Sequence, residues 1–109
     1  MRYYEIINES KDVVYHGDNR SKLKMNNERG IYFSTDMEYA KSYGKYLYTC
    51  RVVLKNPCIN TEEEANGFIE IERPILISNG YDGRVVTYDD GEKDVIAFYL
   101  DQIEILEIK

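Results

Sequence analysis

A chain of 109 residues can bury one modest core, so a single domain is expected. Its 20 acidic and 14 basic residues give a formal net charge of -6, which argues against a surface that coats nucleic acid. No apolar run reaches membrane-spanning length, and no basic-then-apolar leader opens the chain, so a cytoplasmic protein is expected.

In chain order, residues 2–7 and 12–16 read as strands separated by the polar turn Asn8-Glu9-Ser10-Lys11, with Gly17 ending the second. Residues 18–29 are polar and read as a loop anchored by Leu23 and Met25. Gly30 to Gly44 then organises the chain, as a short apolar strand that turns directly into a helix. Thr35 is the expected N-cap, with Glu38 three residues on completing a capping box, and Gly44 stands where a left-handed C-cap would end the helix. Tyr32 on the strand and Tyr43 in the last helical turn can frame one slot, which suits a flat and preferably cationic guest.

Between residues 45 and 55, Tyr46, Tyr48, Cys50, Val52 and Leu54 fall on one face, the period-2 pattern of a half-buried strand. Asn56-Pro57 is read as its stop. Thr61-Glu62-Glu63-Glu64 is a second capping box, opening a helix that Gly67 closes. The apolar runs Phe68 to Ile71 and Ile75 to Ile77 are divided by Arg73-Pro74, and Asn79 to Gly83 is dense turn chemistry. Strands are expected at Arg84–Tyr88, Asp94–Tyr99 and Ile103–Ile108. The fold class is therefore α+β, built mainly on antiparallel strands with one or two short helices.

Chemistry is sparse. The chain has no phosphate-cradling glycine loop and no nucleophile elbow. Cys50 and Cys58 lack metal-ligand spacing and there is one His, so no metal is expected and both thiols read as reduced core residues. Three local signals remain: Tyr15-His16-Gly17 at a strand end, the Tyr32/Tyr43 frame, and Glu92-Lys93-Asp94 opening an apolar strand. Taken singly, each also has a structural reading, as a hydrogen-bonded histidine, a core or rim aromatic pair, and a solvated hairpin.

Together, in order and spacing, they resemble the His-Tyr-Glu branch of ADP-ribosyltransferases, the diphtheria-toxin and poly-ADP-ribose-polymerase-like group. Tyr15-His16-Gly17 resembles its Y-H-G, and Gly30-Ile31-Tyr32-Phe33 its G-I-Y-F. Tyr43 lies eleven residues beyond Tyr32, as the second ring of that family does. Asp94-Val95-Ile96-Ala97-Phe98 with Gln102-Ile103 resembles its last motif, E-Y-I-V-Y…Q-V, with Asp in place of Glu. Asn56-Pro57 and Tyr81-Asp82-Gly83 add a likeness to small phage and toxin-associated members.

The resemblance implies a compact domain of split antiparallel sheets with NAD+ as co-substrate. It implies that His16 hydrogen-bonds the adenine-side ribose, that Gly17 approaches the carboxamide through its backbone, and that Tyr32 and Tyr43 sandwich the nicotinamide. Asp94 becomes the carboxylate that steadies the oxocarbenium-like ribose. Glu92, two residues earlier, makes Glu92-x-Asp94 similar to the E-x-E of the arginine-modifying branch, whose second motif contains S-T like Ser34-Thr35. Ala40 stands where the polymerases carry a carboxamide-binding Ser, which leaves Ser34 or Ser42 to substitute.

The expected activity is mono-ADP-ribosylation of a protein target with a basic patch, read by the acidic loop Tyr88–Lys93. Such a protein fits a phage or bacterial effector, for example an anti-CRISPR or a toxin, with no direct contact to nucleic acid or membrane. Two other classes compete: a non-catalytic binder that blocks a partner stoichiometrically, and an NAD+ glycohydrolase with water as acceptor.

Overall fold

The computed structural model describes residues 13–67 and 73–109. In chain order the elements are β1 (Val14–Asp18), β2 (Ile31–Ser34), α1 (Met37–Lys41), β3 (Tyr46–Val52), β4 (Pro57–Thr61) and α2 (Glu62–Gly67). There follow α3 (Arg73–Ser78), β5 (Gly83–Thr87), β6 (Lys93–Ala97), a 3-10 turn at Leu100–Gln102, and β7 (Ile103–Ile108). The expected strand at 2–7 and the run Phe68–Ile71 lie outside the described residues.

The fold is α+β, a seven-stranded mixed sheet in the order β4-β5-β6-β2-β1-β3-β7 with three short helices. Five of its strand pairings are antiparallel, in keeping with a fold built mainly on antiparallel strands, and β4 and β5 run parallel. Its middle is nearly broken. β1 pairs with β3 over five residues, but with β2 through Tyr15 and Ser34 alone. The sheet therefore consists of a β4-β5-β6-β2 half and a β1-β3-β7 half that diverge beyond one shared pair.

The alternation read in residues 45–55 holds: Tyr48, Cys50, Val52 and Leu54 are buried. They join Val14, Ile31, Phe33, Val85, Val95 and Ala97 in the larger apolar cluster. Because side chains alternate along β6, Ile96 points to the opposite face, where it meets Leu76, Val86 and Phe98 beneath α3. Phe33 is 1 % exposed, so truncating it to Ala would cost about 3–5 kcal/mol.

Several boundaries differ from the sequence reading, each for a physical reason. Asp36, not Thr35, caps α1, its Oδ1 accepting from Tyr39 N at 3.2 Å. Thr35 is drawn instead into the β2–β6 pairing: its backbone N–H donates to the Lys93 carbonyl at 3.0 Å, and its hydroxyl accepts from Lys93 N at 2.8 Å. Gly44 is not a left-handed cap, since α1 stops at Ser42 in right-handed conformation and Gly44 keeps negative φ. β1 runs through Gly17 to Asp18 rather than ending there. Pro57 begins β4 instead of merely stopping β3, which its missing N–H permits at the first residue of an edge strand. The run Ile75–Ile77 belongs to α3, with Pro74 in the first turn where a proline is tolerated.

The capping box at α2 forms as read, Thr61 and Glu64 exchanging hydrogen bonds at 2.9 and 3.2 Å. Gln102 is a clamp: its Oε1 accepts from Phe98 N and Tyr99 N, and its Nε2 donates to the Asp82 carbonyl at 2.8 Å. Asp82 in turn accepts from the backbone of Lys55 and Asn56, so the two loops named in the resemblance are tied to each other.

Candidate functional site

Where the two half-sheets part, a cleft of about 370 Å3 opens beside α1. Its walls are Tyr15, His16 and Gly17 of β1, Tyr32, Phe33 and Ser34 of β2, Tyr39, Ala40 and Tyr43 on and just after α1, and Asp94 of β6. Of the residues nominated from sequence, His16, Gly17, Tyr32, Ser34, Tyr43 and Asp94 all line it. Glu92 does not. It precedes β6 and accepts from the Thr35 hydroxyl at 3.2 Å, lining a neighbouring depression with Ser34, Asp36, Tyr39, Tyr88, Asp90 and Asp94. Ser42 is also elsewhere, its hydroxyl donating to the Tyr39 carbonyl at the helix end.

His16 sits at the parting itself. Its Nδ1 lies 2.6 Å from the Tyr32 carbonyl oxygen and donates to it, so the ring bridges the two halves where ladder bonds have lapsed. The ring packs at a tilt between Phe33 and Tyr48, with centroids 5.6 and 5.7 Å away. Its Nε2 lies 3.2 Å from Asp18 Oδ2. Asp18 is gripped by Arg20 through two nitrogens at 3.0 and 2.9 Å, and these bonds, helped by His16, hold its carboxyl well below the usual carboxylate range.

Gly17 has a packing reason in addition to the one the resemblance implies. A Cβ there would lie 1.8 Å from the Ala40 carbonyl oxygen, so the absent side chain is what lets α1 lie against β1. Gly44 does the same at the helix exit, where a Cβ would meet the Asp18 carbonyl carbon at 2.4 Å. Together they press α1 and its tyrosines against the cleft.

The aromatic rim is open. Tyr32 is 42 % and Tyr43 61 % exposed, so both rings stand on the rim of the cleft rather than in the core. Tyr39, which sequence reading missed, is 2.6 Å from Tyr43 through the two hydroxyls, with the rings edge to face at 5.2 Å. That hydrogen bond, with burial, pushes Tyr39 up to about 12. The spacing of four residues on a helix was the available signal.

Asp94 pairs with Ser34 of β2 on one side and Val86 of β5 on the other. Burial pushes its carboxyl above the usual carboxylate range, and the hydrogen bond from Tyr88 at 2.5 Å opposes that rise. Tyr88 was read as the end of a strand and the start of the acidic loop; its bond to Asp94 follows from the β5–β6 pairing, which brings the two side chains together. A part-buried carboxylate with raised pKa in a cleft is a marker of functional chemistry.

Among the described residues no His/Cys/Asp/Glu group is arranged to hold a metal ion, and no helix is long and apolar enough to cross a membrane. Cys50 and Cys58 are free thiols, and burial pushes Cys50 up to about 12. No protein-family model, curated protein or solved structure matches the chain.

Proposed function

We propose that this chain binds NAD+ in the cleft between the half-sheets and transfers one ADP-ribose to a protein side chain. The observation that carries the reading is convergence. Six residues nominated from motifs spread over positions 16 to 94 line one cleft of about 370 Å3, although nothing local requires β1, β2, α1 and β6 to meet there.

In this reading the exposed Tyr32 and Tyr43 stack on the nicotinamide, which is cationic until it leaves. His16 Nδ1 is held by the Tyr32 carbonyl and Nε2 by Asp18 Oδ2, so in this reading the adenine-side ribose takes the place of Asp18 at Nε2. Departure of nicotinamide moves positive charge to the ribose, and the Asp94 carboxylate is placed to stabilise it without reorganisation. Only the ionised carboxylate can do this. Asp94 is one methylene shorter than the Glu of the resembling family, and its position on a sheet strand beside Ser34 brings the backbone to the cleft wall. Ser34 is the hydroxyl in the cleft that can take the carboxamide role left by Ala40.

The depression beside Asp94, with Asp36, Asp90 and Glu92, suits a basic patch on the acceptor. A phage or bacterial effector acting on a host protein is the biological setting this reading favours. The test is incubation with NAD+ labelled in its adenylate, with and without bacterial lysate. Label on a protein supports transfer; free ADP-ribose points to hydrolysis; NAD+ left intact points to a stoichiometric binder and overturns the proposal.

A further inference from the structure

A second cavity, of about 160 Å3, shares Tyr32 and Asp94 with the cleft and is lined by Arg29, Arg73 and Arg84 together with Tyr88. Three guanidinium groups around one small cavity run against the composition of a chain with net charge -6. Among the described residues none of the three forms an ion pair with a carboxylate, Asp94 included.

They are held instead by neutral oxygens. Arg73 donates Nε and Nη2 to the Phe98 carbonyl at 2.9 and 2.8 Å and lies over the Tyr99 ring. Arg84 donates Nε to Asn60 Oδ1 at 3.2 Å. Arg29 follows a turn closed by Asn26 Oδ1, which accepts its backbone N–H at 3.1 Å, and its guanidinium has no side-chain partner among the described residues. Carbonyls and amides fix a guanidinium in place but leave its charge uncompensated.

We infer that this cavity is a phosphate-binding subsite contiguous with Asp94. The guanidinium of Arg29 and the two Nη groups of Arg84, backed by the charge of Arg73, match a group with several terminal oxygens and close to two charges better than a carboxylate with two oxygens and one charge. Both candidate sources share this chemistry: a phosphomonoester on the acceptor, or the diphosphate of the bound dinucleotide.

The test is titration of the full chain with inorganic phosphate and diphosphate, read by calorimetry or by 31P NMR line shape. Wild type should bind phosphate saturably. Arg29→Ala should weaken binding about tenfold with an unchanged melting temperature, because its guanidinium holds nothing in the fold; Arg84→Gln should weaken it as well. No saturable binding of either ion, or binding equal in wild type and both variants, overturns the inference. Displacement of phosphate by NAD+ would identify the dinucleotide as the source; simultaneous binding would identify the acceptor. Because the readout needs no turnover, Arg29-dependent phosphate binding without NAD+ chemistry would sink the proposed function alone. NAD+ chemistry with no such binding would sink this inference alone.

Discussion

Asp94 lies between two regions of opposite charge. On one side, Asp36, Asp90 and Glu92 line a depression with Ser34 and Tyr39; on the other, Arg29, Arg73 and Arg84 line a cavity with Leu76 and Phe98. The acidic side is built largely from one hairpin loop. The basic side is gathered from three segments, 29, 73 and 84, that the fold alone brings together. A single carboxylate is thereby bordered by an electrostatic gradient, which can orient a polar substrate across it and not merely hold the substrate. Under the proposed function, the contrast separates the carboxylate assigned to the chemistry from the regions assigned to selecting what reaches it.

The largest effect should come from the boundary residue itself. Asp94→Asn keeps the shape and can still accept from Tyr88, yet removes the charge, so NAD+ turnover should fall about 10²–10³-fold. Its melting temperature at neutral pH should not fall. Asp94 has its folded pKa raised above the unfolded value, so folding favours the protonated form and stability declines as pH rises through that window. Above the window the cost of the buried charge is fully present, and Asn removes it. Turnover by wild type should correspondingly be lost as pH falls through the raised Asp94 pKa, and Tyr88→Phe should move that acid limb to higher pH.

Gly17→Ala comes next. The new Cβ must push α1 away from β1, costing about 1–3 kcal/mol and separating Tyr39 and Tyr43 from the cleft. Denaturant unfolding measures the first effect and NAD+ affinity the second. His16→Ala leaves the Tyr32 carbonyl without its donor, at about 1 kcal/mol, and should weaken NAD+ binding more than it slows the bound complex. Glu92→Gln should be the mildest. Lying outside the main cleft, it should reduce transfer to a basic acceptor a few-fold while leaving hydrolysis of NAD+ unchanged. Equal loss of both reactions would move Glu92 from the selecting region into the chemistry.

What could be read in advance follows the same division between local and distant. The half-buried β3, the capping box at Thr61 and the span of β7 are written in neighbouring residues, and they were legible. So was the acidic loop, a run of charge in sequence. The N-cap was misread because Thr35 has two possible partners, and the distant Lys93 won over its own helix. Pro57 marked a break, although a parallel partner 26 residues on makes the same segment an edge strand. The bond from Tyr88 to Asp94 depends on strand register, and the three-arginine cavity on where a turn, a helix and a strand meet, to which single residues give no clue. The convergence of His16, the tyrosines and Asp94 was anticipated through motif order, and Gly17 carries a packing demand that the motif alone did not disclose.

The most direct measurement is release of free nicotinamide from NAD+ by wild type and Asp94→Asn, each with bacterial lysate present. The account predicts release by wild type, with an ADP-ribose unit appearing on a lysate protein, and both about 10²–10³-fold slower with the variant. Intact NAD+ with wild type at every pH, or equal release by the two proteins, would contradict it.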